Sequence, residues 1–366
     1  MKRFLYLITL FLISLSISSC SGEKLKKYQA SNSSISYSGH IDRLENEVVL
    51  IGSASSATAW FTGDSCVVYL RNYHPNGQHN YYSIELDGED LGRFRIEGEQ
   101  MQAIPVSVVF QRELHQISIY KSTEAANGYI NFGGIACKKL EKAEAGQKKL
   151  IEFIGNSISC GMGNDTTLLP CHADVWYDQH NAYWAYGPTV SRALGVDFLL
   201  SSVSGIGVYR NWNSDGPVMP QVYNNLYLNT DESKKRNFDL HQPDIVSICL
   251  GTNDLSKGDG SKERLPFDEQ QFTESYIDFV DGIIEHYPET QIALLCSPMI
   301  DGAEHEILLS CLEKVKAHFD PLLKSPVEIF QFENIVPHGC DYHPDINDHI
   351  MMADQLYPFY RKLLKL

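Results

Sequence analysis

From about Ile35 to Lys139 the apolar residues fall in short alternating runs broken by turn residues, the period-two pattern of half-buried antiparallel strands. Val67–Leu70, Tyr81–Leu86 and Ile117–Tyr120 are the clearest predicted strands, and Asp87-Gly88 and Asn127-Gly128 supply residues suited to tight turns. The region contains no helical pattern of useful length. After Lys149 the rhythm changes to continuous apolar runs alternating with amphipathic stretches, which predicts a parallel sheet covered by helices on both faces. Strands are expected over Leu150–Ile154, Val196–Ser201, Asp244–Leu250, Gln291–Cys296 and Val327–Phe332, and helices over Phe272–His286, Glu306–Phe319 and Ile346–Leu364. Between the two patterns lies Glu141–Lys149, charged and poor in apolar residues, which predicts a linker.

Length agrees with this division, since 366 residues suit two domains at roughly 150 residues each. Charge then narrows the partners. With 30 Lys and Arg against 46 Asp and Glu, the net charge of −16 argues against a polyanionic partner such as nucleic acid, whose binding needs clustered basic residues. The acidity is concentrated in one half, because residues 146–366 carry 16 basic and 31 acidic groups. A neutral ligand suits that surface better than an acidic one.

The chain opens with Met1-Lys2-Arg3, then a mostly apolar stretch from Phe4 to Ile17 that is short for a membrane span. The following Ile17-Ser18-Ser19-Cys20 resembles the lipobox of bacterial lipoproteins, which implies cleavage after residue 19, acylation of Cys20 and export to an oxidising compartment. Eight further cysteines remain. Cys249 and Cys296 sit within apolar runs and are expected in the core, whereas Cys160 and Cys171 bracket a short loop and are expected to form a disulfide that stiffens it.

Chemistry concentrates where the predicted parallel strands end, the edge at which open α/β sheets bind ligands. The first strand runs into Gly155-Asn156-Ser157-Ile158-Ser159, the second into Ser204-Gly205-Ile206-Gly207 and the third into Gly251-Thr252-Asn253-Asp254, while Asp341-Tyr342-His343-Pro344 precedes the last helix. Taken singly, each has a plain structural explanation, such as a helix cap or a loop glycine. Together they supply a hydroxyl nucleophile, two kinds of fixed hydrogen-bond donor and a base matched to neutral pH, the set that acyl transfer requires. The order Ser, Gly, Asn, His resembles the SGNH hydrolase superfamily over residues 150–366.

The resemblance extends further. Gly39-His40-Ile41, Tyr120-Lys121-Ser122-Thr123-Glu124, Ile154–Gly161, Asn181–Gly187 and Gly339–Pro344 are similar to carbohydrate esterase family two. That family pairs a jelly-roll module with an SGNH domain and deacetylates xylan and other plant polysaccharides. The implied organisation is a signal peptide over 1–19, a tether over 20–34, a jelly-roll β-sandwich over 35–145, and a three-layer α/β/α SGNH domain over 146–366. The implied roles are Ser157 as nucleophile, His343 as general base, and an oxyanion hole formed by the backbone N–H groups of Ser157 and Gly205 and the side chain of Asn253. Gly207 is a weaker alternative for the glycine role, and His349 is expected to pack on the last helix.

Two positions depart from the superfamily pattern. Asn156 stands where Asp is usual before the nucleophile, which is expected to change a local hydrogen bond only. Cys340 occupies the usual place of the orienting Asp three residues before the His, leaving Asp341, two residues before it, as a possible third member. The resemblance also implies the alternative of a Ser–His dyad held by a backbone carbonyl. Trp176, Tyr177, Tyr183 and Trp212 are candidates for stacking on sugar rings or, equally, for packing between loops. No metal motif and no dinucleotide-binding loop is found, so no cofactor is expected. The expected function is a monomeric, lipid-anchored esterase, periplasmic or on the cell surface, that acts on acetylated polysaccharide. The alternatives are the same chemistry on sialic acid or peptidoglycan acetyl groups, and a glycan-binding lipoprotein with an inert hydrolase half.

Overall fold

The computed structural model describes residues 24–109, 112–142, 148–231 and 234–366. The expected signal peptide, Cys20 and residues 143–147 of the expected linker lie outside them. The N-terminal strands are β1 (Lys26–Tyr28), β2 (Ile35–Ser38), β3 (Ile41–Arg43), β4 (Val48–Leu50), β5 (Ser56–Tyr73), β6 (Asn80–Leu86), β7 (Glu89–Ile96), β8 (Gln102–Ser107), β9 (His115–Lys121) and β10 (Tyr129–Glu141). All of their pairings are antiparallel. The long β5 links the array, pairing with β2 and β9 over its first residues, with β8 over Ser65–Leu70 and with β10 from Trp60 to Tyr73.

Alternate residues of these strands meet in one core that includes Phe61, Val68, Leu70, Ile84, Leu86, Ile117, Ile119, Ile130, Phe132 and Ile135. Burial of each such side chain contributes about 1.5–3 kcal/mol. The β6–β7 hairpin turns at Asp87 (φ 57°) and Gly88 (φ 87°), the double left-handed geometry of a two-residue hairpin. Part of the expected tether is in fact strand, because Lys26–Tyr28 pairs with Ile135–Cys137. Three residues are too few to show alternation. The approach depends on Gly134, where an added Cβ would sit 2.1 Å from the Tyr28 carbonyl oxygen.

The C-terminal sheet contains β11 (Leu150–Gly155), β12 (Asp197–Ser202), β13 (Ile245–Cys249), β14 (Gln291–Leu295) and β15 (Glu328–Phe330), all parallel, in the order β12-β11-β13-β14-β15. The helices are α1 (Ser157–Cys160), α2 (Tyr186–Leu194), α3 (Met219–Val222), α4 (Thr252–Leu255), α5 (Glu269–His286), α6 (Gly302–Phe319) and α7 (Ile346–Leu364). Successive strand residues supply opposite faces. Val246 and Ile248 join α5 and α6 in one core, while Ile245 and Cys249 join α2 and α7 in the other. Helices α5 and α6 each begin about a turn earlier than expected because their first turns are polar; Asp268 caps α5 by accepting the Gln271 N–H. In this strand order the connection leaving β11 and the one leaving β13 run in opposite directions, and the crevice they open lies beyond the carboxyl ends of these two strands.

The two units share buried polar contacts. Arg93 of β7 donates to the carbonyls of Asp178, His180 and Asp165 and pairs with the Asp165 carboxylate at 3.1 Å. His40 joins Ser201 Oγ (2.8 Å) and the Leu226 carbonyl (3.0 Å).

The expected Cys160–Cys171 bridge does not form; Cys171 is bonded to Cys340. Cys160 is the last residue of α1, buried with Sγ 3.3 Å from Ser202 Oγ and 3.4 Å from Glu124 Oε2, so it points into the interior and away from Cys171. Cys249 and Cys296 are buried thiols in the core, as their apolar surroundings predict.

Candidate active site

Strand β11 ends at Gly155, where the next turn packs so closely that an added Cβ would sit 2.0 Å from Ser159 Oγ. Asn156 then caps α1, its Oδ1 accepting the Ile158 N–H at 3.1 Å. Its Nδ2 donates to Thr252 Oγ1 at 3.2 Å, and Thr252 donates in turn to Ser297 at 2.8 Å. An Asp could not make the first of these donations, so Asn156 changes a hydrogen bond that tethers β11 to α4. Ser157 follows as the first residue of α1.

Ser157 Oγ lies 2.8 Å from His343 Nε2 although 186 residues separate them in sequence. His343 Nδ1 lies 2.9 Å from the Asp341 carbonyl oxygen, a pure acceptor. Nδ1 therefore carries the proton, and Nε2 is the acceptor facing the hydroxyl. The ring is oriented by a backbone carbonyl and not by the Asp341 carboxylate, which is half-exposed and 3.7 Å from His172 Nε2. The backbone explains the difference. Asp341 (φ 53°) and Tyr342 (φ 61°) are consecutive left-handed residues, costly for side chains with a Cβ, and this bend turns the carbonyl toward the ring. The bend is held by the Cys171–Cys340 disulfide and by hydrogen bonds from Gly339 N to His343 O (2.8 Å) and Cys340 N to Gly163 O (2.9 Å). Asp341→Ala is expected to keep kcat within about threefold of the parent, since it leaves the carbonyl in place; a loss of two orders of magnitude in steady-state assays would return the carboxylate to the catalytic group.

Burial pushes the His343 pKa below 6.5, opposed by the Asp341 carbonyl and helped by nearby His180. The imidazole is therefore neutral, and competent as a base, over the whole neutral range. The acid limb of kcat/KM is expected below pH 6.5, because activity is lost only as the pH falls through this lowered value. A pH–rate profile with its acid limb at or above pH 6.5 would contradict this.

Two further donors come from the neighbouring strand ends. Gly205 has φ 75°, and among the described residues none accepts its N–H. Asn253, in the first turn of α4, donates one Nδ2 hydrogen to the Ile206 carbonyl at 2.7 Å, and its second hydrogen remains. Gly207 cannot share the role, because its N–H is taken by Asn211 Oδ1 at 3.0 Å. The loop between them wraps the buried Asp254 carboxylate, which accepts the N–H groups of Val208 (2.9 Å), Tyr209 (2.9 Å) and Arg210 (3.2 Å).

The aromatic candidates separate into two pairs. Trp212 is half-exposed on a cavity of about 580 Å³ that Gly205, Asn213, Tyr227 and Asn229 also line, and Trp176 is half-exposed with its ring edge-on to His180. Tyr183 is not available to a sugar. It is buried, its hydroxyl donates to Glu85 at 2.9 Å, and the Arg192 guanidinium covers its ring at 3.7 Å. Tyr177 is likewise buried, donating to the His79 carbonyl at 3.1 Å. His349 lies on α7, and its Nδ1 accepts the Tyr186 N–H at 3.2 Å.

Sequence reasoning assigned no chemistry to Glu124 and His180, which lie buried beside the site. The Tyr120–Glu124 run is one of the stretches that carry the family resemblance, but it has no periodic or metal-ligand pattern that would assign Glu124 a chemical role. Among the described residues no group of three or more His, Cys, Asp or Glu side chains is placed to hold a metal ion.

Residues 151–335 match the profile of GDSL-like lipases and acylhydrolases, and residues 37–145 match the profile of the carbohydrate esterase 2 N-terminal region. A cellulase/esterase from Acetivibrio thermocellus is 26% identical over 89% of this chain, and the match spans 39% of that longer protein. An acetylxylan esterase/glucomannan deacetylase from Cellvibrio japonicus is 27% identical over 66% of this chain and 68% of its own length. The structure of a family two carbohydrate esterase from Clostridium thermocellum, in complex with cellohexaose, superposes over 90% of this chain and 99% of that one with a TM-score of 0.78 at 24% identity. An acetyl xylan esterase from the rumen bacterium Butyrivibrio proteoclasticus gives 0.81 at 20% identity, covering 93% and 99% of the two chains. These structures share the whole two-unit architecture. The chain belongs to the GDSL-like lipase/acylhydrolase family, with a carbohydrate esterase 2 type N-terminal unit preceding the hydrolase.

Proposed function

We propose that the protein is a serine esterase that removes O-acetyl groups from neutral plant polysaccharide, xylan or glucomannan, or from its oligosaccharides. The observation that carries this reading is the Ser157–His343 hydrogen bond at 2.8 Å, with the ring held in the proton-accepting tautomer. The named activities of the Cellvibrio japonicus relatives support the substrate class.

In the proposed reaction, Ser157 Oγ attacks the acetyl carbonyl as its proton passes to His343 Nε2. The developing oxyanion is bound by the Ser157 and Gly205 N–H groups and the free Asn253 amide hydrogen; each such donor is worth on the order of 10²–10³ in rate. Collapse expels the sugar alkoxide, which takes the proton from His343 and leaves acetyl-Ser157. Water then attacks as its proton passes to His343 Nε2; collapse breaks the Ser157 Oγ–acyl bond, Ser157 takes the proton back from His343, and acetic acid departs and ionises to acetate. We place the protein at the membrane through acylated Cys20, after removal of residues 1–19 on export.

Acetate release from acetylated xylan, acetylated glucomannan, O-acetyl sialic acid and acetylated pectin tests the substrate class. The two neutral polymers are expected to be the best substrates and pectin the poorest, given the acidic hydrolase half. Faster turnover of sialic acid or pectin would overturn the assignment.

A further inference from the structure

Glu124 comes from the N-terminal unit, yet its carboxylate meets the loop that follows β12 in the hydrolase unit. It is fully buried, and its Oε2 accepts the Ser204 N–H at 2.6 Å, one residue before Gly205. The main chain that carries it is clamped, because buried Lys121 Nζ donates to the carbonyls of Thr123 (2.9 Å) and Glu124 (2.7 Å). Its other oxygen, Oε1, faces His180 Nε2 at 3.5 Å. Ala125, the next residue, lines the cavity that Gly205 and Trp212 also border. Burial would push the Glu124 pKa up, but His180 and the Ser204 N–H outweigh it and hold the group below the usual carboxylate range.

Gly205 itself has open space around it and a left-handed φ that only glycine adopts cheaply. Nothing in its own side chain fixes the direction of its N–H. On its far side the Gly205 carbonyl accepts the Trp212 N–H at 2.9 Å; on its near side the preceding peptide is anchored by the Glu124 carboxylate, a charge-assisted acceptor roughly twice as strong as a neutral one.

We propose that Glu124 is a positioning residue for ester hydrolysis, fixing the Val203–Ser204 peptide so that the peptide after it aims the Gly205 N–H at the oxyanion. The sandwich unit thereby completes the hydrolase site. This rests on the Ser157–His343 reading above, whose own failure would show as a parent protein inactive on esters.

Three substitutions separate acceptor reach from charge. Glu124→Gln keeps the reach and an acceptor oxygen but loses the charge, whereas Glu124→Asp keeps the charge and withdraws the oxygen by one methylene. Glu124→Ala removes both. Misplacing one catalytic group by about 1 Å can cost roughly 10²-fold. The Asp and Ala variants are therefore expected to lose about 30–100-fold in kcat on an acetyl ester with KM within threefold, while Gln stays within about fivefold of the parent. Inactivation by diethyl 4-nitrophenyl phosphate, whose phosphoryl oxygen enters the same donor set, should slow in proportion to kcat. The proposal is overturned if Asp is active and Gln is not, if Asp and Gln behave alike, or if the loss appears in KM. Should the Ala variant fail to fold, the Gln and Asp pair decides alone, with melting temperatures measured alongside.

Discussion

Ser157→Ala is expected to lower kcat for 4-nitrophenyl acetate hydrolysis by about a millionfold, to the level set by the remaining donors and binding. The hydroxyl is the group that His343 Nε2 faces, so without it the imidazole has no proton to receive and no acyl-enzyme can form. The substitution removes one hydrogen bond and no buried apolar volume, so the melting temperature should stay within a few degrees of the parent. Steady-state rates and a melting curve suffice. A variant rate within tenfold of the parent would end the serine-esterase reading, because no other described hydroxyl is bonded to His343.

The largest expected loss of stability lies elsewhere, at Arg236. Its guanidinium meets the buried Glu152 carboxylate through two bonds of 2.7 and 2.9 Å, and Glu152 also accepts from Ser201 (2.6 Å) and Tyr223 (3.2 Å). Burial alone would raise the Glu152 pKa, but Arg236 prevails and holds it below the usual range. Arg236→Met leaves that carboxylate at the centre of β11 with its charge uncompensated. The expected cost is about 3–5 kcal/mol, seen as a fall in melting temperature on the order of 10 °C.

The pH dependence identifies the cause. In the parent, a depressed carboxylate pKa contributes stability that is lost as the pH falls through it. In the variant the Glu152 pKa is raised above its unfolded value, so the penalty is full at neutral pH and shrinks on acidification. A deficit that stays constant between pH 7 and pH 5 would show that lost packing, and not the stranded charge, is responsible.

Much of this arrangement is legible in the sequence because it follows local periodicity. The five parallel strands announce themselves as apolar runs, and the residues ending three of them, with His343, are recognisable by chemical type and order. What local pattern cannot supply is pairing across the chain. The partner of Cys171 lies 169 residues away, and nothing near Cys160 indicates that its thiol points inward. By sequence Asp341 offers its carboxylate, or the His is held by a backbone carbonyl; the structure uses the Asp341 carbonyl, a choice made by two left-handed backbone angles. Tyr183 fits a sugar platform by composition and is excluded by Arg192 above its ring. Glu124, His40 and Arg93 gain their meaning only from the unit on which they converge.

That convergence bears on how such a chain can be rearranged by recombination. Crossing over within residues 142–148 would join a foreign sandwich to a hydrolase that expects Arg93 at three of its carbonyls, His40 at Ser201 and Glu124 at Ser204. Each missing partner would leave a polar group buried without its bond, at about 1–3 kcal/mol apiece. The two halves are therefore heritable together or hardly at all: the stretch that looks most like a seam in the sequence is one of the poorest places to cut.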